Sequence, residues 1–203
     1  MINEFDLTSL RQRVGQRLGE KRFKHTLGVE RLAAELGELL LPDSVSELCC
    51  AALLHDIAKE LPSEEMLALI GEDISDDDIQ TPAIYHALAA PFVIIRDFPE
   101  YATENVISAV RNHTTGEYGM SLFDEIIFIS DFCEDGREYD SCRNTRKKLF
   151  EYLAGAKNAD ERISALHRAA LDTADSTVEA LVRIGRRVNQ KTLMARKYFK
   201  SKI

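Results

Sequence analysis

The chain has no tryptophan, no apolar run approaching the roughly 18 residues that cross a bilayer, and no alternating apolar–polar stretch that reads as a strand. The missing long run excludes a membrane-spanning helix. The opening MINEFDLTSLRQRV holds no apolar stretch that could serve as a secretory signal, so a cytoplasmic protein with no membrane partner is expected. Cysteine is scarce. Of the four, Cys49 and Cys50 adjoin in an apolar segment, and Cys133 and Cys142 show neither CxxC nor zinc-finger spacing, which reads as reduced structural thiols. Acid is missing from one end: after Glu179 none follows, while Arg183, Arg186, Arg187, Lys191, Arg196, Lys197, Lys200 and Lys202 do. Without those eight, 18 basic residues face 34 acids, a balance of −16 against −8 for the whole chain. That balance disfavours nucleic acid as a partner. The basic end reads as a solvated or partly ordered helix, with contact to a polyphosphate or an anionic partner as the functional alternative.

No 20- to 50-residue repeat, Gly/Ser-rich linker or low-complexity segment interrupts the 203 residues. One all-α domain is expected, with a core over about 7–145 and C-terminal helices plus the basic tail over about 146–203. Helical periodicity places helices at about 7–18 and 21–40, with Pro42 as a stop, and at about 44–59. The segment LPSEEMLALIG makes a fourth helix ending at Gly71. In TPAIYHALAAPFVIIRDF, Thr81 reads as an N-cap with Pro82 in the first helical position, and Pro91 as a kink or split. Another helix covers about 103–113, the loop TTGEYGM leads through Ser121 into SLFDEIIFISDF, a polar stretch follows near 134–145, and two or three amphipathic helices complete the chain.

Ionisable groups fall on the inward faces of these helices. His25 shares a stripe with Val29, Leu32 and Leu36, His113 with Val106 and Val110, Asp131 with Ile127, and His86 with Ala90 and Val93. His55 and Asp56 end CCAALLHD, a segment apolar on nearly every side. One such histidine is ordinary core. Four imidazoles and two carboxylates converging from five helices are not, because a buried carboxylate without compensation costs several kcal/mol. A divalent cation resolves the conflict. Imidazole nitrogen with carboxylate oxygen suits iron, manganese, cobalt, nickel or zinc. Six groups exceed one closed tetrahedral site and match two metals sharing a bridging carboxylate, with positions left for water and substrate.

A helical His, then an adjacent His-Asp pair, then further helical histidines and a later Asp resembles the HD-domain metal-dependent phosphohydrolases. The blocks KRFKHTLGVERLA, ALLHDIAKELP, YHALAAPFV, AVRNHTTGEYGMSLFDEIIFISDF and EDGRE are similar to the YqeK group, the symmetrical diadenosine tetraphosphate hydrolases, over about residues 7–185. HD alone is a weak signal; five blocks in order are specific. The resemblance implies an HD-type helical bundle in which His25, His55, Asp56 and Asp131 hold one metal, with Asp56 bridging to a second metal held by His86 and His113. It also implies iron as the metal, a dinucleoside polyphosphate as substrate and ADP as product. One departure stands out: where the group has Ala-Asp and then an Ile-Glu-Pro run, this chain has Ser130, Asp131 and FCEDGR.

Around those six, Lys59 lies one turn beyond Asp56 and could meet phosphate, or could be a solvated helix end. Thr114, Thr115 and Gly116 could grip phosphate, or could terminate a helix with a glycine cap. Arg111, Glu134 and Arg137 are candidates for supporting the ligands or touching substrate. The catalytic residues expected are Asp56 and Lys59. His167 lies outside the matching blocks and reads as structural or surface. The alternatives are an HD phosphohydrolase of another nucleotide, a mononucleotide or a guanosine alarmone, and a regulatory HD protein that binds without turnover. A homodimer is compatible with all of these.

Overall fold

Short polar side chains start many of the helices. In the computed structural model, which describes residues 5–203, Asp6, Thr103, Ser121, Asn158 and Asn189 each accept a backbone N–H two or three residues on. Each bond pairs a donor that a first helical turn leaves free. The helices are α1 (Leu7–Arg17), α2 (Glu20–Leu40), α3 (Val45–Leu54), α4 (Ser63–Ile70), α5 (Asp76–Ile79), α6 (Tyr85–Asp97), α7 (Glu104–Asn112), α8 (Leu122–Cys133), α9 (Asp140–Gly155), α10 (Ala159–Arg183) and α11 (Gln190–Lys200). No strand occurs among the described residues, and none of their helices is long and apolar enough to cross a membrane. Helix α3 is the hub: it packs on α2, α7, α8 and α1. Its Leu48, Cys50, Ala51, Ala52, Leu53 and Leu54 are fully buried, as an almost wholly apolar sequence requires.

Several boundaries differ from the sequence reading. The third helix stops at Leu54, and residues 55–60 continue as consecutive tight turns, with Ile57 N–H on Leu54 O and Lys59 N–H on Asp56 O. Thr81 and Pro82 open a three-residue 3₁₀ turn rather than α6, and the Thr81 hydroxyl donates to Asp77 O instead of capping. Pro91 neither splits α6 nor ends it, since the flanking Ala89, Ala90, Val93 and Ile94 are buried and hold the helix in place. Part of the polar 134–145 stretch is already helix from Asp140.

The basic end is a packed element. Ala195 and Phe199 of α11 are fully buried, the Phe199 ring lying 6.2 Å from Phe128 of α8. Among the described residues, three of its eight charges are in ion pairs: Arg187 with Asp77, Lys191 with Asp78 and Arg196 with Asp175.

Candidate metal centre

The six ligand candidates meet where the C-terminal ends of α3, α7 and α8 face α2 and the start of α6. His25 comes from α2, His86 from α6 and Asp131 from α8, while His55 and His113 are the first residues past α3 and α7. The two post-helix histidines use the same local device. Each Nδ1–H donates to the carbonyl three residues back, His55 to Ala52 O and His113 to Val110 O, both at 2.6 Å. A donor on Nδ1 leaves Nε2 as a bare lone pair, the tautomer that a metal needs. Nε2 of His55 is buried with no hydrogen-bond partner among the described residues, and a neutral imidazole left so is matched by a cation rather than by more core packing.

Asp56 stands between two groups of imidazoles. Its Oδ1 lies 3.3 Å from Nε2 of His86 and 3.8 Å from Nε2 of His113, and its Oδ2 lies 3.8 Å from Nε2 of His55. The ligand atoms of His25, His55 and Asp56 fall within 4.8 Å of one another, and so do those of Asp56, His86 and His113. Asp131 adds an oxygen on the first side, 2.9 Å from Nε2 of His25 and 3.6 Å from Nε2 of His55. Two three-atom sets sharing one carboxylate could hold two cations, and the nitrogen and oxygen donors suit first-row divalent metals.

The charges are set against this background. Burial pushes the His55 imidazole down to about 4 and the His86 imidazole well below its usual range, the latter helped by the adjacent Lys59 ammonium. Burial opposes ionisation of Asp56 and Asp131, yet both carboxyls lie well below the usual range, Asp56 chiefly through His55 and Asp131 chiefly through its bond to His25. Burial also disfavours a charge on His25, but its bonds to Asp131 and Glu134 outweigh that and lift it to about 9. Neutral His55 and His86 beside ionised Asp56 and Asp131 offer donors to a cation, whereas His25 must give up a proton before it can join them.

Glu134 lies in the FCEDGR stretch where the sequence departs from the group pattern on either side of it. Its carboxylate meets Nδ1 of His25 at 3.1 Å and accepts Gly136 N–H at 2.6 Å, and Arg146 donates to the Cys133 and Glu134 carbonyls beside it. Room for it comes from Gly28 on α2, where a Cβ would lie 2.1 Å from Glu134 Oε2. This is the carboxylate–imidazole pairing that orients a metal-binding histidine.

The remaining candidates separate. Lys59 Nζ lies 2.8 Å from Nε2 of His86 and 3.7 Å from Asp56 Oδ1, and burial lowers its pKa. Arg137 donates to Asp131 Oδ1 at 2.8 Å, and the Thr114 hydroxyl sits 3.0 Å from Nε2 of His113 and 3.2 Å from Nε2 of His86. Thr115 and Gly116 point elsewhere: the Thr115 hydroxyl donates to the Gly116 carbonyl, and Gly116, at φ +66°, is pressed against Ala195 of α11. Arg111 is half-buried and is not brought into a hydrogen bond or ion pair with the cluster. His167 pairs with buried Glu125 at 2.9 Å, away from it. Arg22 escaped the sequence reading although its guanidinium donates to Asp56 Oδ2 at 2.9 Å. The available signal was its place one turn before His25 on the same helical face.

Residues 22–147 match the HD domain family. The chain is 33% identical over 136 residues to a protein of Bacillus subtilis (strain 168) named bis(5'-nucleosyl)-tetraphosphatase, symmetrical, covering 66% of this chain and 72% of the relative. A protein of the same name from Halalkalibacterium halodurans is 36% identical over 148 residues, 71% of this chain and 78% of that one. A crystal structure of a predicted HD superfamily hydrolase involved in NAD metabolism, from Clostridium acetobutylicum, superposes with a TM-score of 0.82 over 99% of this chain and all of the other at 29% identity. The five-helix convergence on His25, His55, Asp56, His86, His113 and Asp131 and the match spanning those residues agree: the chain belongs to the HD domain family and is an HD-domain hydrolase related to the symmetrical bis(5'-nucleosyl)-tetraphosphatases.

Proposed function

We propose that this chain cleaves diadenosine tetraphosphate symmetrically into two ADP. In this reading His25, His55, Asp56 and Asp131 hold one divalent cation, and Asp56, His86 and His113 hold a second. The observation that carries it is the pair His55 and His113, whose Nδ1–H groups are committed to main-chain carbonyls so that their Nε2 lone pairs turn toward the shared Asp56. The substrate follows from the relatives named symmetrical tetraphosphatases, which align over 136 and 148 residues of this chain. When bound, two cations of the iron, manganese, cobalt, nickel or zinc type supply Lewis acidity and an activated water, with iron the first to test.

The chain's own residues do the rest. Asp56 presents one oxygen to each group of imidazoles, and Glu134 holds the His25 ring in place. Lys59 and Arg137, both half-buried beside the cluster, offer N–H donors and positive charge to a phosphate chain, and the Thr114 hydroxyl offers one more donor. No thiol competes as nucleophile, because burial pushes all four up, Cys49 to about 11 and Cys133 to about 12, with Cys50 and Cys142 also raised. Water therefore attacks an inner phosphorus directly, its oxygen remaining on one ADP while the central bridging oxygen leaves with the other.

Protein purified without chelator and analysed for metal, then assayed on diadenosine tetraphosphate with product identification, tests the reading. Two ADP are expected, and a single turnover in ¹⁸O-water should place one heavy oxygen in one of them. AMP and ATP as products reject symmetrical cleavage. Rapid hydrolysis of a different nucleotide with the tetraphosphate left intact moves the chain to another branch of the family.

A further inference from the structure

Asp56 has to aim two oxygens in different directions, and its own torsion does not fix that aim, since the terminal torsion of an aspartate is broad. Something must hold the carboxylate plane. The Arg22 guanidinium is placed to do so. Nη1 donates to Asp56 Oδ2 at 2.9 Å, while Oδ1 is left facing His86 and His113. Arg22 is braced in turn. Its Nε, buried without a full hydrogen bond, lies 3.4 Å from Glu60 Oε1, and the same Glu60 oxygen accepts Gly19 N–H at 2.9 Å at the start of α2. Asp56 is 4% exposed, so its carboxylate has few other donors to turn toward.

We infer that Arg22 is a positioning residue for the metal centre: braced by Glu60, it fixes the plane of Asp56 so that each oxygen serves its own group of imidazoles. The inference rests on the metal-centre reading above. The geometry gives α2 a double duty, since one turn of it delivers the ligand His25 and the holder of the shared ligand. A guanidinium near two cations also repels them, so two effects of opposite sign are in play. Partners that orient a metal ligand are typically worth about 10–100-fold in metal affinity. The guanidinium's charge is partly offset by Glu60 and faces solvent on one side, which leaves orientation as the larger effect.

The test is Mn²⁺ affinity, measured on the full chain by competition with a chelating indicator, beside the thermal midpoint without metal. Arg22→Ala should bind Mn²⁺ about 10–100-fold more weakly at both sites, because both share Asp56. Arg22→Lys, which can donate to Oδ2 but cannot span to Glu60, should fall between Ala and wild type. Glu60→Gln, which keeps an acceptor for Gly19 N–H but removes the negative charge facing Arg22 Nε, should lose a few-fold, with metal-free midpoints near wild type throughout. Wild-type or tighter binding by Arg22→Ala overturns the inference, as the result expected if charge repulsion were the whole effect. If Arg22→Ala does not fold, wild-type affinity in Glu60→Gln overturns it instead. No nucleotide enters the measurement, so a wild type that binds Mn²⁺ and leaves diadenosine tetraphosphate intact would reject the substrate reading alone.

Discussion

Helix α8 carries two acid–imidazole pairs, one buried and one partly buried, with the same spacing and different meaning. Near its start, Glu125 meets His167 of α10 at 2.9 Å; near its end, Asp131 meets His25 of α2 at the same 2.9 Å. Six residues apart on one helix, the two carboxylates leave it about 120° apart and enter different surroundings. Around Glu125 the pairing stops, and its second oxygen is buried without a partner among the described residues. Around Asp131 it continues through Arg137, His55 and, across the cluster, Asp56 with His86 and His113. A buried charge pair by itself therefore says little about function. What distinguishes a site is convergence: lone pairs from several helices aimed at one volume, each held there by a second partner.

The sharpest break of that comparison is Asp56→Ala. It should empty at least one metal site and lower turnover by about 10³ or more, because the carboxylate serves both halves. Metal analysis together with single-turnover assays reads this, and a variant that keeps full metal content and activity defeats the ligand assignment. Gly28→Ala comes next, although Gly28 is no ligand. A methyl there would sit on Glu134 Oε2 and displace it from His25, so metal affinity should drop about 10–100-fold; unchanged affinity would show that Glu134 does not orient the ring. Lys59→Ala should lower kcat/KM for the tetraphosphate about tenfold with metal stoichiometry unchanged, as expected of a charge that meets phosphate rather than metal. Kinetics identical to wild type would return Lys59 to a merely electrostatic neighbour of His86.

His167→Ala should have the smallest effect on chemistry, with metal content and turnover near wild type. It leaves Glu125 buried and unpaired, which costs about 1–3 kcal/mol. For a chain of this size that corresponds to a thermal midpoint lower by about 2–12 °C. A marked loss of metal or activity in the folded His167 variant would mean that the two ends of α8 are coupled after all.

Much of this was legible in sequence. The stripe His25, Val29, Leu32, Leu36 and the stripe Val106, Val110, His113 each encode which way an imidazole faces, because 3.6-residue periodicity ties spacing to direction. The apolar segment before His55 and Asp56 encodes their depth, and both are buried. Other features were not legible. The same apolar run could not show that α3 ends at Leu54, since the change to tight turns depends on which carbonyls later N–H groups find. Thr114, Thr115 and Gly116 look alike as a phosphate loop, yet only Thr114 faces the imidazoles, because Gly116 is held against α11, nearly 80 residues later in the chain.

By itself, then, the sequence determined the all-helical class, the inward direction of the histidines and the family pattern that joins them, all of which depend on local spacing and residue chemistry. Only the tertiary structure decided partners. That Arg22 holds Asp56, that Glu134 holds His25 across the gap left by Gly28, that the basic α11 packs through Phe199 instead of trailing in solvent, and that Glu125 closes on His167 alone are contacts between residues far apart in the chain. Helical periodicity assigns a face to each side chain, but the group it meets is chosen by how whole helices pack, and that packing is a property of the assembled core.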